Sequence, residues 1–235
     1  MSMIEVRKAS NPRRELVREE LLTRAAEVFE AKGFAQTRLE DIALALNLKR
    51  SALYYYFQTK NDILRALVEQ YAENVASKME EIAANHPGTY ADKLRALLSS
   101  SILDRMEGGA RFRALDGVGA EMPEDIKKSF AHARRRILDI YVATIRDGMD
   151  AGEFRSLDPG VAALAVLGVA NWTSWWYRPN GRQEPQELAR TLIDIAIQGL
   201  VPSEADRAQR RSATEIIGFI ENDLAELRRL TDRQN

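Results

Sequence analysis

The chain of 235 residues is 45% apolar and 29% charged with a net charge of −1, close to the soluble average, which excludes a disordered tail protein and a membrane-embedded one. It contains no cysteine, which excludes disulfides, thiolate metal sites and cysteine nucleophiles and fits a reducing, cytoplasmic setting. Thirteen Gly and seven Pro fall below the roughly 12% of average usage, which disfavours turn-rich β architectures and predicts an all-α fold of one large domain or two modest ones.

The opening MSMIEVRKASNPRRE has basic residues but lacks the apolar run of a secretory signal, so no export is expected. The most apolar stretch, 161–177, is interrupted by Asn171, Thr173 and Ser174 and falls short of the roughly 20 residues that span a bilayer. No membrane partner is expected. Charge is unevenly spread: residues 1–60 hold eleven Lys/Arg against eight Asp/Glu, a net of +3, while the remaining 175 carry −4. A nucleic-acid-facing head on an acidic body has this sign change.

In chain order, Leu22, Ala25, Ala26 and Phe29 recur at helical spacing within 15–32, and Gly33 follows as a C-terminal stop. Thr37 and Glu40 have the three-residue offset of a capping box, which starts a short helix from Leu39 to about Leu46. Asn47 tolerates the left-handed backbone of a sharp turn, and a second short helix begins near Lys49 and reads to Phe57. Two helices of about eight residues around a tight turn are a helix-turn-helix. Ile42, Ala43, Leu48 and Leu53 are expected in its core, leaving Lys49, Arg50, Ser51, Ala52, Tyr54 and Tyr55 for groove and solvent. Three consecutive tyrosines on one helix cannot all face inward, and the small Ser51 and Ala52 clear the surface around them. Arg50 and Tyr54 are long enough to reach base edges. Lys60, at the start of the next helix, suits a phosphate. Arg7, Lys8, Arg13, Arg14 and Arg18 form a candidate basic arm.

A long helix from Asn61 to about Ala84 links this head to the rest and ends at His86-Pro87-Gly88. Further helices are predicted at about 90–106, 110–119, 123–151, 158–177, 184–200 and 203–230. Those at 158–177 and 184–200 are apolar on more than one face and need two partners, one inside the chain and one in a symmetry mate. The last adds a seam at Ala213, Ile217, Ile220, Leu224 and Leu227, expected to pack on the chain's own body.

The stretch Ala25–Leu64, with Phe29, Gly33-Phe34, Thr37, Ile42-Ala43, Leu53-Tyr54, Tyr56-Phe57 and Lys60 in order, resembles the DNA-binding domain of the tetracycline-repressor (TetR) family. Lys49 stands where the family commonly has Ser or Thr, and Asn47 where it commonly has Gly. The resemblance implies that the helix Arg50–Tyr56 enters the major groove of an operator duplex while Thr37, Tyr55 and Lys60 contact phosphates. It also implies a head at 1–60 and a ligand-binding, dimerising helical domain at 61–235, and the extra C-terminal helix exceeds the usual family plan. A homodimer would set two reading helices on successive major grooves of a near-palindromic site.

For the effector, an apolar tunnel with arginines at its mouth is what an acyl thioester of coenzyme A needs. Met106, Phe112, Phe130 and Tyr141 are candidates for the walls by their place on the body helices, with Trp172 and Trp176 from the tryptophan tract. Arg134, Arg135 and Arg178 are candidates for the phosphates. The tract Trp176-Tyr177-Arg178-Pro179 resembles that of family members controlling fatty-acid or sterol breakdown, which sense acyl-CoA. The expected function is a ligand-released dimeric repressor, the alternative a constitutive or architectural DNA-binding protein. Enzyme activity, cofactor and metal are not expected. His86 and His132 are the only histidines and lack metal-ligand spacing, and no phosphate loop or nucleophile elbow is present.

Overall fold

The computed structural model describes residues 12–179 and 181–203, together with positions 217, 218, 220, 221 and 224 of a C-terminal helix. Among the described residues there are helices and no strands. The elements are α1 (Pro12–Lys32), α2 (Leu39–Ala45), α3 (Arg50–Tyr56), α4 (Lys60–Val68), α5 (Asn74–Asn85), α6 (Tyr90–Glu107), α7 (Gly109–Val118), α8 (Glu124–Asp150), α9 (Pro159–Trp176) and α10 (Pro185–Gln198). The expected linker helix is α4 and α5 joined through a π turn at Glu69–Glu73, an insertion of the kind that recurs at functional sites.

Local chemistry explains where these helices begin. The Thr59 hydroxyl accepts from the Asp62 backbone N–H at 3.1 Å while the Asp62 carboxylate accepts from that of Thr59 at 2.8 Å, a reciprocal cap on α4. Thr89 and Asp92 repeat the arrangement on α6. Asp158 caps α9 by accepting from Val161 N–H at 2.8 Å, and Pro159 and Pro185 occupy first helical positions, where a missing N–H costs nothing. The cap on α2 is displaced from the expected one: the Arg38 backbone N–H donates to Asp41 at 2.8 Å, and the Thr37 hydroxyl donates back to the Gly33 carbonyl at 2.8 Å. Thr37 therefore closes the α1–α2 turn and does not cap α2.

Helices α1 to α3 form the three-helix head. Asn47 has φ 53 and is the sole non-glycine with positive φ among the described residues, a backbone state that Asn adopts more readily than other side chains bearing a Cβ. Ile42, Ala43 and Leu53 are buried as expected, but Leu48 is 37% exposed, because the chain reverses at Asn47 and turns the next side chain outward. The head's core does not stop at its own helices: it continues through Leu64, Leu67 and Val68 of α4, Leu115 and Val118 of α7, and Ile126 of α8. A second core holds Met79, Leu97, Ile102, Tyr141, Phe154, Ala163 and Ile197, with α6 packed by α5, α8, α9 and α10.

Helix α7 is the hinge piece of the architecture, lying along α1 on one side and against α6 and α9 on the other. Polar contacts add to the join. Arg113 makes a two-pronged pair with Glu30 of α1 at 2.6 and 3.1 Å, the Ala35 N–H donates to Glu121 at 2.9 Å, and Arg65 meets Asp125 at 2.6 Å. Of the expected C-terminal seam, Ala213 and Leu227 lie outside the described residues, while Ile217, Ile220 and Leu224 are helical and 50–55% exposed, so these three do not show the expected packing on the chain's own body. No described helix is long and apolar enough to cross a membrane.

Gly148 of α8 faces the fully buried Phe154, and an added Cβ would lie 2.4 Å from that ring. Gly148→Ala gains roughly 1 kcal/mol of helix propensity but overpacks a closed site at a typical cost of about 1–3 kcal/mol. Urea unfolding is expected to show a net loss of stability, and unchanged stability would mean that the Phe154 ring rotates aside freely.

Candidate functional site

The outward face of α3 carries the side chains that the turn at Asn47 presents. Lys49, Arg50 and Ser51 are exposed, Ala52 and Tyr54 half-buried, and Tyr55 is 67% exposed. Tyr54 rests against the head core, which leaves its hydroxyl end at the surface, where Arg50 donates to it at 2.9 Å. The Arg50 guanidinium also pairs with Glu40 at 3.0 Å and lies 5.0 Å from the Tyr54 ring centre. These contacts raise its pKa, the Tyr54 hydrogen bond most of all. Arg50 and Tyr54 thus form one pre-ordered polar unit, and a ligand engaging Arg50 has to compete with Glu40. Tyr55 meets Tyr56 edge-on with ring centres 5.1 Å apart.

Two sequence-predicted phosphate contacts receive different tasks. The Lys60 ammonium donates to the carbonyls of Phe34, Ala35 and Thr37 at 2.7, 3.0 and 3.3 Å and sits 4.6 Å from the Phe34 ring centre. Its three donors are all committed inside the head, so Lys60 is a clamp across the α1–α2 turn and not a free cation. Thr37 is 2% exposed and its single hydroxyl proton is used on Gly33, so in this structure it serves the α1–α2 turn. Of the candidate basic arm, Arg7 and Lys8 lie outside the described residues. Arg13 and Arg14 are in the first turn of α1, and Arg18 covers the Phe57 ring at 5.7 Å.

Behind α7 a cavity of about 740 Å³ opens between the π turn, α6, α7, α8 and α9. Its apolar walls include Leu115, Met122, Phe112, Phe130, Ile137 and Leu167, and its polar groups include Tyr71, Ser101, Arg105, Lys127 and Asn171. Arg134 and Arg135 stand at its edge, largely exposed, the first 3.5 Å from Asp116 and the second 2.9 Å from Asp139. A volume of this size with mostly apolar walls, and with the carboxylates of Asp104 and Asp116 among its polar lining, suits a lipophilic molecule that carries a polar group. The neighbouring Arg136 is a tie between α8 and the linker, bound to Glu73 at 2.6 Å and Glu80 at 2.7 Å.

The sequence-predicted ligand residues divide. Phe112, Phe130, Arg134 and Arg135 line the cavity. Tyr141 is fully buried behind it, its hydroxyl 2.8 Å from that of Ser101, and burial pushes its phenol pKa up. Trp172 and Trp176 are 64% and 39% exposed and not among the lining residues of this cavity. Met106 and Arg178 line a separate cleft. Sequence reasoning missed Arg105, which lies over the Phe112 ring at 4.4 Å and reaches the Ser174 hydroxyl at 3.4 Å. Burial lowers its pKa. The one available signal was a cation at the helical spacing of four from Ser101, between the apolar residues Ile102, Leu103 and Met106.

A helix-turn-helix head whose core is shared with a cavity-bearing helical body is the architecture of a DNA-binding regulator. The chain belongs to the tetR family of bacterial regulatory proteins. Residues 21–67 match the family "Bacterial regulatory proteins, tetR family", and residues 87–200 match "Tetracyclin repressor-like, C-terminal domain". The transcriptional repressor KstR2 of Rhodococcus jostii is 25% identical over 195 residues, 78% of this chain and 90% of that protein. The crystal structure of the regulator PfmR of Thermus thermophilus superposes with a TM-score of 0.68 at 26% identity, covering 76% of this chain and 97% of that one. The structure of AibR with isovaleryl coenzyme A and operator DNA shares the fold, with a TM-score of 0.64 at 20% identity and coverage of 76% and 96%.

Lys60→Met removes the donors to three carbonyls, and the expected loss is about 1–3 kcal/mol of stability, read from urea unfolding. The salt dependence of DNA binding is expected to stay as in the wild type. A slope reduced by about one unit would restore Lys60 to the phosphate backbone.

Proposed function

We propose that the protein is a dimeric transcriptional repressor that binds a near-palindromic operator and is released by a lipophilic effector, an acyl thioester of coenzyme A. The observation that carries this reading is the apolar cavity bounded by α7, the helix that also completes the head's core. A molecule that alters the position of α7 acts on α1 directly, and its differential affinity for the two positions is what shifts DNA binding. Residues 1–60 are assigned to reading DNA and 61–235 to sensing and dimerisation. Lys49, Arg50, Ser51, Ala52, Tyr54 and Tyr55 meet the duplex, with Arg50 and Tyr54 reading bases and Tyr55 a phosphate.

Support for the effector class comes from the apolar walls beside Lys127, Arg134 and Arg135, and from the coenzyme A ester held by AibR on the same fold. Support for the dimer comes from α9. Val161, Leu164, Trp172 and Trp175 are 67%, 60%, 64% and 50% exposed along one face, and Gly168 lies on the same stripe. An exposed apolar stripe of this length on a buried-type helix calls for a covering partner, and twofold packing of α9 and α10 against a second copy covers it.

Fluorescence anisotropy on DNA from the upstream region of its own gene, titrated with acyl-CoA esters and with free fatty acids, tests the reading. Release by the esters alone is expected; tight binding unmoved by any acyl compound would favour a constitutive binder. Arg50→Ala is expected to flatten discrimination between operator variants by about 1–3 kcal/mol at the base pair it reads. Leu164→Glu is expected to yield monomers in sedimentation, and a persisting dimer would move the interface elsewhere.

A further inference from the structure

A second cleft, of about 440 Å³, lies where α1, the end of α6, the start of α7 and the end of α9 converge. Three guanidinium groups line it, from Arg105, Arg113 and Arg178. Arg113 is matched by Glu30, its two-pronged partner. Its third nitrogen donates to the Ser174 carbonyl, and Gly109 leaves the room for this, since a Cβ there would meet that nitrogen at 2.9 Å. Arg105 donates to the hydroxyl of the same Ser174, so two cations converge on one neutral, buried residue.

Neither Arg105 nor Arg178 has a carboxylate within ion-pair distance among the described residues. Arg178 donates to the carbonyls of Trp175 and Tyr177 at 3.2 and 3.0 Å. The carboxylates nearest Arg105 in sequence and across the cavity are engaged elsewhere, Asp104 with Lys78 at 2.9 Å and Asp116 with Arg134 at 3.5 Å. Glu107 lines the cleft but is exposed. Asp116 and Asp104 attract Arg105 from beyond ion-pair distance, but a partly buried guanidinium that has lost water without a directly paired anion is costly, and its planar fork matches phosphate and carboxylate oxygens. Arg105 also lines the larger cavity, so it stands in the wall between the two spaces.

We propose that this cleft is an anion subsite for a phosphate or carboxylate group, held by Arg105 and Arg178, and that the bound anion competes with Glu30 for Arg113. Glu30 is the head's one residue in the cleft wall. Occupancy therefore weakens the tie between α1 and α7, and by reciprocity a head held on DNA lowers the anion's affinity. This last consequence rests on the regulator reading above, whereas anion binding itself does not.

The test is calorimetric titration of the full chain with inorganic pyrophosphate, without DNA, for the wild type and for Arg105→Gln, Arg178→Gln and Glu30→Gln. One pyrophosphate per chain is expected, about tenfold weaker for either arginine variant, the equivalent of roughly 1.4 kcal/mol, and several-fold tighter for Glu30→Gln. Arg178 is exposed, so its variant reports binding even if Arg105→Gln fails to fold. Wild-type affinity in Arg178→Gln, or no tightening in Glu30→Gln, overturns the proposal.

A parallel titration with octanoyl coenzyme A separates the two sources of the anion. If the group belongs to the effector, Arg178→Gln weakens both ligands; if a free anion is the natural occupant, it weakens pyrophosphate alone. Failure of the regulator reading shows separately, as no operator binding by the wild type with pyrophosphate binding intact.

Discussion

The head by itself can bury only a marginal core, and this constraint shapes the molecule. A unit of about 60 residues is marginal by its surface-to-volume ratio, and here the deficit is met by the body. Leu115 and Val118 of α7, Met122 in the turn that follows, and Ile126 of α8 complete the apolar cluster around Leu22, Phe29 and Leu53. The head therefore cannot shift against α7 without opening apolar surface, which makes the join stiff and makes α7 the route by which the body can act on the head.

Polar groups then fix the angle of that stiff join. Arg113 holds α1 through Glu30 and α9 through the Ser174 carbonyl, so one side chain spans head, hinge helix and the end of the apolar helix α9. Glu121 accepts from the backbone of the α1–α2 turn, the same turn that Lys60 clamps from the other side. The cavity opens beside α7, with Phe112 and Leu115 in its wall, and Leu115 belongs to the head's core as well. Helix α7 thus presents one face to the cavity and another to α1, and a discrete change in either packing is felt by the other.

Much of the fold was legible locally. Apolar residues at spacings of three and four, the stop at Gly33 and the breaker at His86-Pro87-Gly88 placed the ends of the described helices to within about two residues, except that α1 begins three residues earlier than expected. The π turn at Glu69–Glu73 was not legible, because an inserted residue leaves the apolar pattern on either side intact. The cap on α2 was displaced for a related reason: Thr37 and Asp41 both have suitable side chains, and the Gly33 carbonyl, freed by the end of α1, took the Thr37 hydroxyl. The exposed face of α3 was read correctly because a seven-residue helix against a small core has little freedom in which side it buries.

The candidate site was half legible. Phe112, Phe130, Arg134 and Arg135 line the cavity as their helix positions suggested, but the tryptophans face outward and Arg105 was overlooked. The sequence by itself determined that the chain is helical, that its first sixty residues carry an exposed, cationic short helix after a tight turn, and that α9 is too apolar to stand alone. These follow from spacing and composition, which act over one or two helical turns. Only the tertiary structure decided the partner of each cation. Lys60 was drawn into the carbonyls of a turn more than twenty residues upstream, Arg113 found a carboxylate 83 residues away, and Arg105 was left without one. An ion pair is set by which remote group the packing brings within about 4 Å, and no local periodicity records that distance.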